Sequence, residues 1–188
     1  MAGNWFVALS VPAVPWFSRV PESPHGVRLF HPDDLHITVA FLGACGEEAA
    51  QLAFDVAPKW PTSTVDVTLG AVEPMGNPRR PSAFASLVSD GAGTLRDAIV
   101  VVRDEMCARA GARLDERAPR PHVTIARPRR SATGPERKEA ATWARSVVLR
   151  DPCIRLSRLV LYGHSTDPSV RLFRDHAMRE LGSRSAER

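Results

Sequence analysis

Two short phrases carry the residues best suited to chemistry, His36-Ile37-Thr38-Val39 and His122-Val123-Thr124-Ile125. Side chains alternate between the faces of an extended strand. Each phrase would therefore set an imidazole and a hydroxyl about 7 Å apart on one side, with a β-branched pair anchoring the other. Histidine, with an ordinary pKa of about 6.5, can give or take a proton at neutral pH. Hydroxyls and a nearby arginine can hold the oxygens of a phosphoryl group. Facing each other across a cleft, the two sets suit in-line displacement at phosphorus, with a base on the attacking side and an acid on the leaving side. That logic requires neither a metal nor a cofactor. Either phrase alone reads best as an ordinary half-buried strand, and the repetition gives the pair its weight. His25, His31, His164 and His176 have no such partner and read as structural or surface groups. Asp33 and Asp34 sit in a turn, which favours solvent exposure or a strand-entry role over metal ligation.

The elements that must position these residues follow from periodicity and turn chemistry. Strands are expected at 4–11, 26–30, 35–43, 64–74, 82–89 and 121–127, at 153–163 as one strand, and at 169–178. Turn-rich MGNPRRP separates the fourth and fifth as a hairpin or long connection. Helices are expected at 47–57, at 94–110 with Gly111 as its stop, and at 135–148 with Pro135 in its first turn. Each histidine phrase is followed by a helix and then by further strands. This reads as two related α+β halves that each place one such strand near the middle of the molecule. No linker long enough for independent domains separates them, so residues 1–188 read as one domain, with a frayed tail from about 182.

Composition excludes several classes. Hydrophobic residues make up 44% and charged residues 24% of the 188, as in ordinary globular proteins. The opening MAGNWFVALSVP has no basic leader region, and no apolar run approaches the roughly 20 residues of a membrane span. No membrane association and a cytoplasmic location are the expectations. Cys45, Cys107 and Cys153 are odd in number and lack C-x-x-C spacing, so they read as core thiols. The net charge of +4, from 25 Lys+Arg against 21 Asp+Glu, permits an anionic substrate. The densest basic segment, with Arg117, Arg120, Arg127, Arg129 and Arg130, surrounds the second phrase, and at least one of these is expected to face phosphate. Aromatic residues are only 6%, which leaves few stacking platforms for a purely RNA-binding module.

At this point the chain resembles the 2H phosphoesterase superfamily, and within it the RNA 2',3'-cyclic phosphodiesterases, also called 2'-5' RNA ligases. The resemblance rests on NWFVALSVP, DDLHITVAFLG, RPHVTIAR and IRLSRLVLYG and covers nearly the whole chain. It implies an α+β, bilobal fold: two pseudo-symmetric lobes with antiparallel-rich sheets flanked by helices, and a central cleft holding both phrases without a metal. It implies His36 as proton donor to the leaving 3'-oxygen and His122 as proton acceptor from the attacking water. Thr38, Thr124 and Arg127 would bind phosphate. Phe41 lies where an aromatic ring meets the terminal base, although strand parity sets it on the core side with Ile37 and Val39. The implied partner is RNA ending in a 2',3'-cyclic phosphate, acted on by a monomer with no cofactor. A 2'-5' oligoadenylate, a cyclic nucleotide and ADP-ribose 1'',2''-cyclic phosphate stay open as substrates, as do 2'-5' ligation as a side activity and a non-catalytic RNA-binding role. Members of the family often carry a Gly-Pro-x-Tyr-like phrase before the last strand. Here that region reads GHSTDPSVRLF, with Val170 about where the tyrosine would be.

Overall fold

A computed structural model describes residues 3–77, 80–150, 152–167 and 169–182. The expected frayed tail falls beyond Gly182 and lies outside the described residues. The strands are β1 (Trp5–Ser10), β2 (Val27–Leu29), β3 (His36–Gly43), β4 (Val65–Asn77), β5 (Arg80–Asp90), β6 (His122–Pro128), β7 (Cys153–Leu156), β8 (Arg158–His164) and β9 (Phe173–Glu180). The helices are α1 (Glu47–Phe54), α2 (Ala92–Arg109) and α3 (Gly134–Ser146). They build an α+β fold with two antiparallel sheets, ordered β3-β1-β8-β9 and β2-β6-β5-β4-β7. Strand β3, at the edge of the first sheet, lies against β6 of the second, which brings the two histidine phrases together.

The lobes are not the two halves of the sequence. Strands β2, β4 and β5 of the first half join the second sheet, while β8 and β9 of the second half return to the first. The run expected as one strand at 153–163 is two, broken at Ser157, because β7 pairs with β4 whereas β8 pairs with β1. The apolar alternation records the crossing: Ile154 and Leu156 are buried, and then Leu159 and Leu161, one step out of phase. That parity turns Cys153 outward. It is exposed, Cys45 is intermediate, and only Cys107 is the buried thiol expected of all three. The hairpin is longer than expected, with β4 and β5 paired out to Asn77 and Arg80.

One continuous core joins the inner faces of both sheets and the helices, through Leu9, Ile37, Phe84, Ile99, Val123 and Ile125. A second, smaller cluster of Phe6, Ala8, Val160 and Tyr162 covers the other face of the first sheet. Strand β1 is thus apolar on both sides, which is why WFVALS reads as an unbroken apolar run. Helix α2 packs on β3. It ends in a Schellman motif: Gly111 takes φ of 63°, Ala112 N–H donates to the Cys107 carbonyl and Gly111 N–H to that of Ala108. This turn starts the arginine-bearing segment that leads into β6. Helix α3 opens with a capping box between Thr133 and Glu136.

Candidate active site

The two histidines begin their strands in the same way. His36 Nδ1 lies 2.7 Å from the main-chain oxygen of Asp34, and His122 Nδ1 lies 2.7 Å from that of Arg120. A carbonyl only accepts, so each Nδ1 carries the hydrogen and donates. Each neutral ring is thereby fixed in the tautomer whose Nε2 is free to exchange a proton.

A bulge follows each phrase at the same place. Against β1, Ala8 pairs with Thr38 and Val7 with Ala40, leaving Val39 as the extra residue. Against β5, Ala85 pairs with Thr124 and Phe84 with Ala126, leaving Ile125 extra. One inserted residue reverses the alternation beyond it. Phe41 and Arg127, five positions after their histidines, therefore emerge on the same face as the imidazoles. Phe41 therefore does not lie on the core side, where strand parity alone would set it, and it is 57% exposed. Burial follows the same change of phase: Val39 with Ala40, and Ile125 with Ala126, are buried in pairs just after the threonines.

Thr38 is exposed and Thr124 half-buried, and among the described residues neither hydroxyl is held by a protein partner. Of the basic segment, Arg117 is bonded to Asp115, Arg120 reaches Glu73 at 3.5 Å, and the Arg129 side chain donates to the His25 carbonyl. Arg127 has no carboxylate partner among the described residues. Its guanidinium lies 5.2 Å from the centre of the Phe30 ring, which leaves its donors for a ligand. A cavity of ≈ 600 Å³ is lined by Thr38, Phe41, Met75, Arg103, Arg117 and His122, whereas His36, Thr124 and Arg127 do not line it.

The surroundings of the two rings differ sharply. His36 sits on an aromatic shelf, with ring centres 4.8 Å to Phe6, 5.5 Å to Phe173 and 5.8 Å to Tyr162. Burial lowers its pKa to about 4. The Asp34 carbonyl and carboxylate oppose this, while the charges of Arg127 and His122 push the same way as burial. His122 instead faces the arginine-lined cavity, with no aromatic ring against it among the described residues.

Sequence reasoning missed the shelf and Asp34. Asp33 is exposed as expected of the turn, but Asp34 is only 1% exposed. Its carboxylate accepts from Arg171 Nε at 3.2 Å, Leu172 N–H at 2.8 Å and Phe173 N–H at 3.2 Å. Val170, where the family's tyrosine would stand, is exposed, and Phe173 and Tyr162 supply the rings on that side. The position two residues before each histidine was the available signal, since it supplies the carbonyl in both phrases. Among the described residues no three His, Cys, Asp or Glu side chains converge as metal ligands would, and no helix is long and apolar enough to cross a membrane.

The sequence matches no protein-family model and no curated protein. Solved structures do match. A crystal structure of LigT from E. coli complexed with NADP+ superposes with a TM-score of 0.67 at 19% identity, over 97% of this chain and 99% of LigT. LigT has also been crystallised with 3'-AMP. A crystallised phosphoesterase superposes with a TM-score of 0.70 at 18% identity, over 97% of this chain and 100% of its own. TT0787 of Thermus thermophilus gives 0.65 at 17%, over 96% and 99%. At such identities the likeness is one of fold: the chain has a LigT-like α+β fold.

Proposed function

We propose that this protein is a phosphodiesterase that opens 2',3'-cyclic phosphate ends of RNA to 2'-phosphates, without a metal, using His36 as proton donor and His122 as proton acceptor. The observation that carries the reading is the duplicated device just described. Two imidazoles are fixed in the same tautomer, each has an uncommitted hydroxyl two residues on, and a bulge turns Phe41 or Arg127 to the same face. In the reaction His122 Nε2 takes a proton from water, and the water oxygen bonds to phosphorus. The bond from phosphorus to the 3'-oxygen breaks, and His36 Nε2–H supplies the proton that oxygen needs. Thr38, Thr124 and Arg127 hold the non-bridging oxygens, where charge builds. Phe41, which lines the cavity, offers a face to the terminal base.

A donor with a pKa of about 4 is scarcely protonated in the ligand-free protein at neutral pH. The substrate corrects this. At an effective dielectric constant of about 20, one negative charge some 4 Å away contributes roughly 4 kcal/mol, or about three pKa units, enough to return His36 to the neutral range. The aromatic shelf keeps the ring neutral until an anion arrives, and the phosphate then makes it an acid. LigT has been crystallised with 3'-AMP and with NADP+, which supports a nucleotide as the ligand class here. The test is a panel of RNA 2',3'-cyclic phosphate, 2'-5' oligoadenylate, cyclic nucleotide and ADP-ribose 1'',2''-cyclic phosphate, incubated in EDTA with product analysis. The RNA end is expected to be the preferred substrate. Faster turnover of another member would move the assignment to that phosphodiester.

A further inference from the structure

The two residues that lend their carbonyls to the histidines use their side chains in opposite ways. Arg120, before His122, reaches across the surface to Glu73 at 3.5 Å. Asp34, before His36, is buried, and all of its side-chain bonds run to one segment, Arg171-Leu172-Phe173. Two of those donors are main-chain N–H groups, so the carboxylate fixes the path of that segment as well as pairing with a guanidinium. Arg171 secures the arrangement from its other end, donating to the Asp33 carbonyl at 2.9 Å and to Asp175 Oδ1 at 2.8 Å. The segment leads into β9, and its last residue is Phe173, the first of that strand, whose ring stands edge-on to His36 at 87° and to Phe6 at 83°.

We propose that Asp34 is a positioning residue for His36. Its main-chain carbonyl fixes the tautomer, and its buried carboxylate fastens the 171–173 segment so that the Phe173 ring closes the shelf around the imidazole. The inference rests on the reading of His36 as a proton-transfer group. It also accounts for GHSTDPSVRLF: in place of a tyrosine near Val170, this chain supplies an aromatic ring from Phe173, held there by a carboxylate in the histidine phrase itself. An amide in place of that carboxylate would turn N–H donors toward the N–H groups it must receive, so Asp34→Asn releases the segment. The other charged or titratable groups bearing on His36 are Arg127 and His122 on β6. Asp33, Asp34, Arg171 and Asp175 surround the Tyr162 hydroxyl at the far edge of the shelf.

The experiment is a titration of the His36 ring by NMR in full-length protein labelled at histidine nitrogen, without substrate, with His122 observed in the same sample. The wild-type midpoint is expected at about 4. In Asp34→Asn it rises by at least about one unit, because water reaches the ring. Loss of the carboxylate charge alone would lower it, so the sign separates positioning from simple electrostatics. Phe173→Ala, which leaves Asp34 and its charge in place, produces a similar rise, and the double variant adds little beyond either single one, as expected for two residues acting through one contact. The His122 midpoint does not follow. An unchanged or lowered His36 midpoint in folded Asp34→Asn overturns the proposal. If that variant does not fold, an unchanged midpoint in folded Phe173→Ala overturns it instead. Because no substrate is present, the result stands apart from the choice of phosphodiester.

Discussion

Strands β3 and β6 deliver their histidines with the same carbonyl, the same hydroxyl spacing and the same bulge, yet the rings enter different media. His36 is enclosed by Phe6, Tyr162 and Phe173, and burial depresses its pKa. His122 opens onto a cavity bordered by Arg103 and Arg117. The backbone is duplicated while the chemistry is divided, and the division is made by residues outside the repeated phrases. Arg127 and Phe41 show the same contrast at the ends of the bulges, since matching positions hold a cation and an aromatic ring.

The division predicts a ranked series of losses. Removing either ring, in His36→Ala or His122→Ala, lowers turnover of the cyclic phosphate at least about a hundredfold, as expected for loss of a general acid or base. The double variant should fall little further, because the two act in one step. Arg127→Ala comes next, with roughly ten- to a hundredfold weaker binding, the value of charge-assisted bonds to phosphate. Phe41→Ala costs about tenfold and only on substrates that carry a base, whereas Arg127→Ala costs the same on all; equal behaviour of the two on a panel with and without bases would erase the contrast.

A smaller effect concerns pH. The limb of kcat/KM set by His36, which reports the free protein, should lie near about 4, and the limb it sets in kcat should lie up to about three units higher as the bound phosphate raises its pKa. Coincident limbs would mean that the substrate charge does not reach the ring. The smallest effect is on stability. His36 in the folded chain binds its proton less readily than in the unfolded chain. Its contribution is complete above about 6.5 and is lost as pH falls toward about 4. Denaturation midpoints measured across that window should decline less steeply in His36→Asn than in wild type.

Much of this was legible in the sequence because it follows from alternation over short distances. The strands carrying His36 and His122, the helix stop at Gly111 and the presentation of each threonine beside its histidine all came from local patterns. What escaped notice depends on pairings with distant strands. The bulges at Val39 and Ile125 emerge only when β1 and β5 are laid alongside, and without them Phe41 reads as inward-facing. Ser157 marks a crossing between sheets that looks like continuous strand until the phase of Ile154, Leu156, Leu159 and Leu161 is compared. Asp34 looked like a turn residue because its three donors lie more than 130 residues further along the chain.

The division of labour is tested most directly by an RNA end whose cyclic phosphate carries sulfur in place of the bridging 3'-oxygen. A thiolate departs without being protonated, so this substrate needs no acid but still needs a base. It should restore near wild-type turnover to His36→Ala and leave His122→Ala impaired. Rescue of His122→Ala in its place, or of neither variant, would contradict the assignment of donor and acceptor.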